Sequence, residues 1–188
     1  MPINLIPFLY TAVFAAILVA VVPRSEIRRL AIYGMIFGGL FDVIVVEAGN
    51  LLGEFRYINY EPFGLMDLHF MAPISWTIFY ILYFYFLPER NSYRYLYTLM
   101  GIFYSMLFCQ MLTKIGVLSL GHGIIDSIIP FVLWFPVATW GYLRLTRLAV
   151  LEGENRDAFF FPQQPQPAAK MMSEERPVDD RDRTDSNS

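Results

Sequence analysis

Seven polar side chains lie in or beside stretches that are otherwise apolar: Asp42, Glu47, Asn50, Gln110, Lys114, His122 and Asp126. A charged group at the centre of a membrane helix costs about 2.5–3.5 kcal/mol on insertion scales, so such groups face protein or water rather than lipid. Asp42 falls near the middle of its stretch, where a packing helix has no need of a carboxyl group unless it is protonated or paired. Gln110, Thr113 and Lys114 recur at i, i+3 and i+4 and share one helix face. Glu47 lies about 140° round a straight helix from Asp42, so the two acids do not point at one spot.

The residue inventory narrows the chemistry. Cys109 is the single cysteine, which excludes an intrachain disulfide, and His69 and His122 are far apart in sequence, so no metal-ligand spacing is present. Cys109 reads as a small packed side chain. Catalysis requires an acid and a base bearing on one atom, and a His122–Asp126 pair at i, i+4 requires a helix through Gly121-His-Gly, which two glycines disfavour. No catalytic, metal or cofactor residue is therefore assigned. Two readings stay open for the seven: structural ties, such as Lys114 with Glu47 or Asp126 and an interhelical hydrogen bond from Gln110, or a pocket that takes a small ligand or an ion.

The elements that carry these residues are five apolar runs, Met1 to Pro23, Leu30 to Gly53, Leu68 to Pro88, Tyr95 to Thr113 and Ser127 to Leu143. A bilayer core of about 30 Å needs roughly 17–25 helical residues, and each run reaches that length. With 56% hydrophobic and 16% charged residues, the chain departs from the composition of a soluble domain. The expectation is an all-α bundle of five transmembrane helices at about 4–22, 30–53, 68–87, 95–117 and 124–147. Ser25 and Ser92 are expected to cap the second and fourth helices and Asp67 the third, with Pro73 kinking the third or ending a short turn before it. Gly34 with Gly38 and Gly49 with Gly53 form two pairs of small residues suited to close helix packing.

Arg24, Arg28, Arg29, Arg90, Arg94, Arg144 and Arg147 fall on one side of such a bundle, against Arg56 and Lys114 on the other. The positive-inside rule then places the amino terminus outside and the carboxyl terminus in the cytoplasm. A cleaved signal peptide is disfavoured, because Met1–Tyr10 has no basic residue. In this orientation Glu47, Asn50, Gln110, Lys114, His122 and Asp126 share the outer depth, and they are expected to form an outward-facing polar pocket with Asp42 at its floor. Residues 152–188 are acidic and rich in Pro, Ser and Asp, and are expected to form a disordered cytoplasmic tail. No internal repeat is visible, which disfavours an inverted-repeat transporter. The charge balance gives no reason to expect nucleic acid; the expected partners are the lipid bilayer, a small ligand or ion, and a membrane protein or a second copy of the chain.

The runs Arg56-Tyr-Ile-Asn-Tyr-Glu-Pro-Phe, Ala72-Pro-Ile-Ser-Trp-Thr, Pro88-Glu-Arg-Asn-Ser-Tyr-Arg and Phe108-Cys-Gln-Met-Leu-Thr-Lys-Ile-Gly-Val resemble a group of small uncharacterised five-span proteins of spore-forming Firmicutes. That group has an acidic residue in its fourth span where this chain has Gln110. The resemblance implies a bacterial cytoplasmic membrane and a sporulating host, and no reaction. The function expected is non-enzymatic: binding a small polar or lipid-like ligand, or organising a membrane complex. An ion- or proton-coupled transporter is the alternative, and a membrane-embedded enzyme comes third.

Overall fold

The structure is a computed structural model that describes residues 3–53, 55–58, 62, 64–65, 68–121 and 124–160. The chain divides into two units, residues 1–146 and 147–188, and the fold below is that of the first. The elements in chain order are α1 (Ile6–Val21), α2 (Arg24–Gly34), a π-helical segment (Met35–Leu40), α3 (Phe41–Leu52), β1 (Phe55–Tyr57), β2 (Gly64–Leu65), β3 (Leu68–His69), α4 (Met71–Tyr85), α5 (Asn91–Ile115), β4 (Leu118–Leu120) and α6 (Ile124–Phe160). Among the described residues four helices are long and apolar enough to cross a membrane: Ile3–Val21, Arg24–Leu51, Asn91–Ile115 and Ile128–Ala149. Large apolar side chains such as Leu9, Val19, Leu51, Leu99 and Leu133 point outward from these helices. A water-soluble monomer rarely exposes so continuous an apolar surface, and lipid is the solvent that suits it.

The third expected span is shorter than its apolar run. Helix α4 has 15 residues, about 22 Å at 1.5 Å per residue, because Leu68 and His69 are spent on β3, which pairs with β2. Pro73 sits in the first turn of α4 and neither kinks it nor ends a preceding turn, since the backbone N–H it lacks has no partner inside a helix at that position. Short as it is, α4 is the centre of the bundle, burying Ala72, Ser75, Tyr80, Ile81, Tyr83 and Phe84.

The helix starts also differ from expectation. Pro23 and Arg90 occupy the N-cap positions of α2 and α5 without side-chain cap bonds, and Ser25 and Ser92 lie inside the first turns. Pro23, with its fixed φ of −58°, launches α2 in place of a hydroxyl cap. Asp67 lies outside the described residues. Helix α6 continues to Phe160, past the expected span end at residue 147 and into the tail expected from 152, through a segment with the helix formers Glu152, Glu154, Arg156 and Ala158; residues 161–188 of the expected tail lie outside the described residues.

Helices α2 and α3 form one rod through the π segment, and the glycines fix how closely it meets α4. A Cβ at Gly38 would overlap the Trp76 carbonyl, and one at Gly34 would meet Ile81 and the Thr77 carbonyl. Gly39 also abuts α4, at Thr77. In the wider turn of the π segment both neighbours reach the same helix, which a constant 100° step does not allow. Gly53 does not repeat this role: it adopts φ +71° and ends α3, with open space where a Cβ would stand. Gly116, at φ +84°, ends α5 in a Schellman motif, with Val117 N–H donating to Leu112 O (3.0 Å) and Gly116 N–H to Thr113 O (3.1 Å). The chain leaves both left-handed glycines in extended form, and the two exits pair antiparallel as β1 and β4, with Tyr57 opposite Leu118.

Candidate functional site

A cavity of about 240 Å³ lies inside the bundle at the end closed by the β1–β4 ladder. Helices α1, α3, α4, α5 and α6 each supply part of its wall. Tyr10 and Phe14 come from adjacent turns of α1, Ser105, Cys109 and Leu112 from one face of α5, and Ser75 and Trp76 from α4. From α6 come Pro130, Phe131 and Trp134, and Tyr57 and Leu118, both buried, close the ladder end. Exposed Tyr104 marks where the cavity reaches the surface of α5.

Aromatic contacts hold the walls in place. Trp76 lies 5.0 Å from Trp134 and 5.5 Å from Phe131, and Phe131 stacks on Trp134 at 6.0 Å. Across the cavity Tyr10 meets Phe108 edge-on at 5.2 Å, and Phe14 lies 6.0 Å from the same ring. The Trp134 indole N–H donates to the Phe37 carbonyl, so α6 is tied to the π segment immediately before Asp42. Such segments recur where a helix must offer backbone groups or redirect side chains at a site.

Asp42, in the first turn of α3, is 2% exposed and faces this cavity. Its Oδ2 makes no hydrogen bond among the described residues, and neither does Oγ of Ser105. Ser75 is better supplied: its hydroxyl donates to Met71 O (2.8 Å) and contacts the Thr11 hydroxyl. A buried carboxyl oxygen without a partner is costly, because water no longer satisfies it and nothing replaces the water. No Lys, Arg or His belongs to the described cavity wall.

The expected polar pocket is therefore built differently. Of the five candidates whose side chains are described, Asp42 alone lines the cavity. Glu47 and Asn50 are half-buried further along α3, where Asn50 Oδ1 is without a hydrogen bond, and Gln110 is half-buried on α5. Lys114 is exposed, about 180° round α5 from Ser105, and no ion pair joins it to Asp42 among the described residues. His122 lies outside the described residues, and Asp126 belongs to α6 with its side chain undescribed. Tyr57 and Leu118 lie across the ladder end of the cavity.

His69 has a structural place instead. It is 1% exposed, contacts Asn4 O through Nε2 (3.2 Å) and accepts the Met71 N–H at Nδ1 (3.1 Å), which leaves Nε2 as the protonated nitrogen. Among the described residues no group of three His, Cys, Asp or Glu side chains gathers as a metal site. The groups missed in the sequence are Tyr10, Tyr57, Ser75 and Ser105; a hydroxyl in an apolar run is weaker as a signal than a charge, since it can bond its own helix backbone. No protein-family model, curated protein or solved structure matches the chain, so the reading of this site rests on its own geometry.

Proposed function

We propose that the chain is a five-span protein of a bacterial cytoplasmic membrane, amino terminus outside and carboxyl terminus in the cytoplasm, that binds a small ligand in the cavity beside Asp42. Helix α4, apolar and central, serves as the fifth crossing, and the seven-to-two Arg/Lys asymmetry supports the orientation. The observation that carries the reading is the buried Oδ2 of Asp42, without a hydrogen bond in the wall of a hollow where a ligand would satisfy it. An apolar cavity of about 150 Å³ in a protein core binds benzene, so 240 Å³ is room for a somewhat larger molecule. Entry is lateral, past Tyr104, because the ladder lies across the end.

Indole is a suitable probe, with an aromatic body and one N–H for Asp42. Calorimetry of the full chain in lipid nanodiscs is expected to show saturable binding of one indole per chain. Heats no different from partition into empty nanodiscs would overturn the reading.

A further inference from the structure

We infer that the ligand of this cavity is an organic cation with an apolar body, held by Asp42 and the surrounding ring faces. The inference rests on the cavity being a ligand site and adds the sign of the ligand's charge.

The wall has one electrostatic character. Its single ionisable group of low intrinsic pKa is the Asp42 carboxyl, and no cationic side chain among the described lining residues neutralises it. Lys114, the cation expected in the pocket, is exposed on α5. Around the carboxyl stand Trp76, Trp134, Phe131, Tyr57 and Tyr10, whose ring faces carry partial negative charge. A cation gains from both features at once, from the carboxylate as a counter-ion and from the rings by cation–π attraction, strongest over Trp and stronger still without water. An anion would meet the carboxylate and the ring faces with the wrong sign. A neutral apolar molecule would fill the space but leave the Asp42 carboxyl buried without a polar or charged partner.

The ligand class also fits the location. An inorganic cation would need several oxygen ligands, and the described wall offers one carboxyl group and a few hydroxyls amid aromatic surface. A quaternary ammonium on an apolar body is weakly hydrated and matches a wall that is mostly rings. Pairing inside the bundle also removes the cost of holding an uncompensated charge there.

Benzyltrimethylammonium and neopentylbenzene have the same shape and differ in charge, which isolates the term in question. With the full chain in nanodiscs, quenching of Trp76 and Trp134 fluorescence is expected to saturate with the cation, and the neutral isostere is expected to bind at least tenfold more weakly. Asp42→Asn is expected to weaken the cation at least tenfold and leave the isostere unchanged. Equal affinity of the two isosteres for the unaltered protein overturns the inference without recourse to any variant. Binding of indole with no binding of the cation also overturns it and leaves the cavity as a ligand site. Failure of all three probes overturns both readings.

Discussion

The two ends of the bundle are built from the same helices and solve the problem of buried polar groups in opposite ways. Away from the β1–β4 ladder, Tyr83 bonds Thr98 (3.0 Å) and Thr139 (2.8 Å), and Thr139 donates to Phe135 O (2.8 Å). Counting protons fixes the direction. Thr139 gives its proton to the carbonyl, so Tyr83 must donate to Thr139 and Thr98 to Tyr83, and each hydroxyl proton has an acceptor. Rings fill the space between, with Tyr83 5.2 Å from Phe135 and Phe84 stacked on Tyr142 at 4.4 Å. At the ladder end the count does not close. Thr11 and Ser75 donate to Pro7 O and Met71 O, so their mutual contact is a hydrogen bond only when one of them releases its carbonyl. Oδ2 of Asp42 and Oγ of Ser105 have no hydrogen bonds, and the space beside them is hollow. Tyr80, stacked against Trp134 at 5.6 Å and 5.4 Å from Phe135, links the two regions and also has a hydroxyl without a hydrogen bond. Around Tyr83 the hydroxyls are bonded and rings pack the core, with an open groove bordering Thr98 and Thr139, whereas around Asp42 polar atoms without hydrogen bonds face an internal hollow, the arrangement of a part that waits for something else.

Substitutions at the two ends should then differ in cost. The largest effect is expected from Phe135→Ala, which empties a fully buried ring site at the Tyr83 end and should destabilise by about 3–5 kcal/mol in reversible unfolding from detergent micelles. Tyr83→Phe comes next, at about 1–3 kcal/mol, because it leaves the Thr98 proton without its acceptor and Thr139 without its donor. A Tyr83→Phe cost below that of Asp42→Asn would break the contrast between the ends.

At the hollow end the expected effects are small. Asp42→Asn should change stability by less than about 1 kcal/mol, since no described residue bonds Oδ2. In a double-mutant cycle its effect should add to that of Lys114→Gln, and a coupling energy would restore the ion pair that the geometry does not contain. Ser105→Ala should be the mildest, about neutral or slightly stabilising, because it removes a buried hydroxyl that has no hydrogen bond. Marked loss of stability there would mean that Ser105 is bonded.

The comparison also explains what was legible beforehand. Uninterrupted apolar runs announce α1, the α2–α3 rod, α5 and α6, because length and composition alone distinguish a helix that can cross a membrane. The start of α4 was hidden, since Leu68 and Phe70 are as apolar as the helix that follows them and leave no boundary. The π segment was hidden for a different reason: a constant angular step cannot register an extra residue per turn, so Gly39 was missed beside Gly34 and Gly38. Asp42 stood out as a charge inside an apolar run. Its companions did not, because depth in the bilayer groups side chains without saying which face they occupy. Gln110 and Lys114 share the α5 face that turns away from the cavity, whereas Ser105 and Cys109 line it.

The central claim, that Asp42 presents its carboxyl to a hollow that a ligand can fill, is open to a direct chemical test. Diisopropylcarbodiimide, small and apolar, is expected to leave an acylurea adduct on Asp42 in the full chain, located by mass spectrometry of the digested protein. Saturating indole should suppress that adduct, and Ser105→Phe, which plugs the cavity, should suppress it without any ligand. Modification of Asp42 that indole and Ser105→Phe leave unchanged, or modification of Glu47 with none at Asp42, would contradict the account.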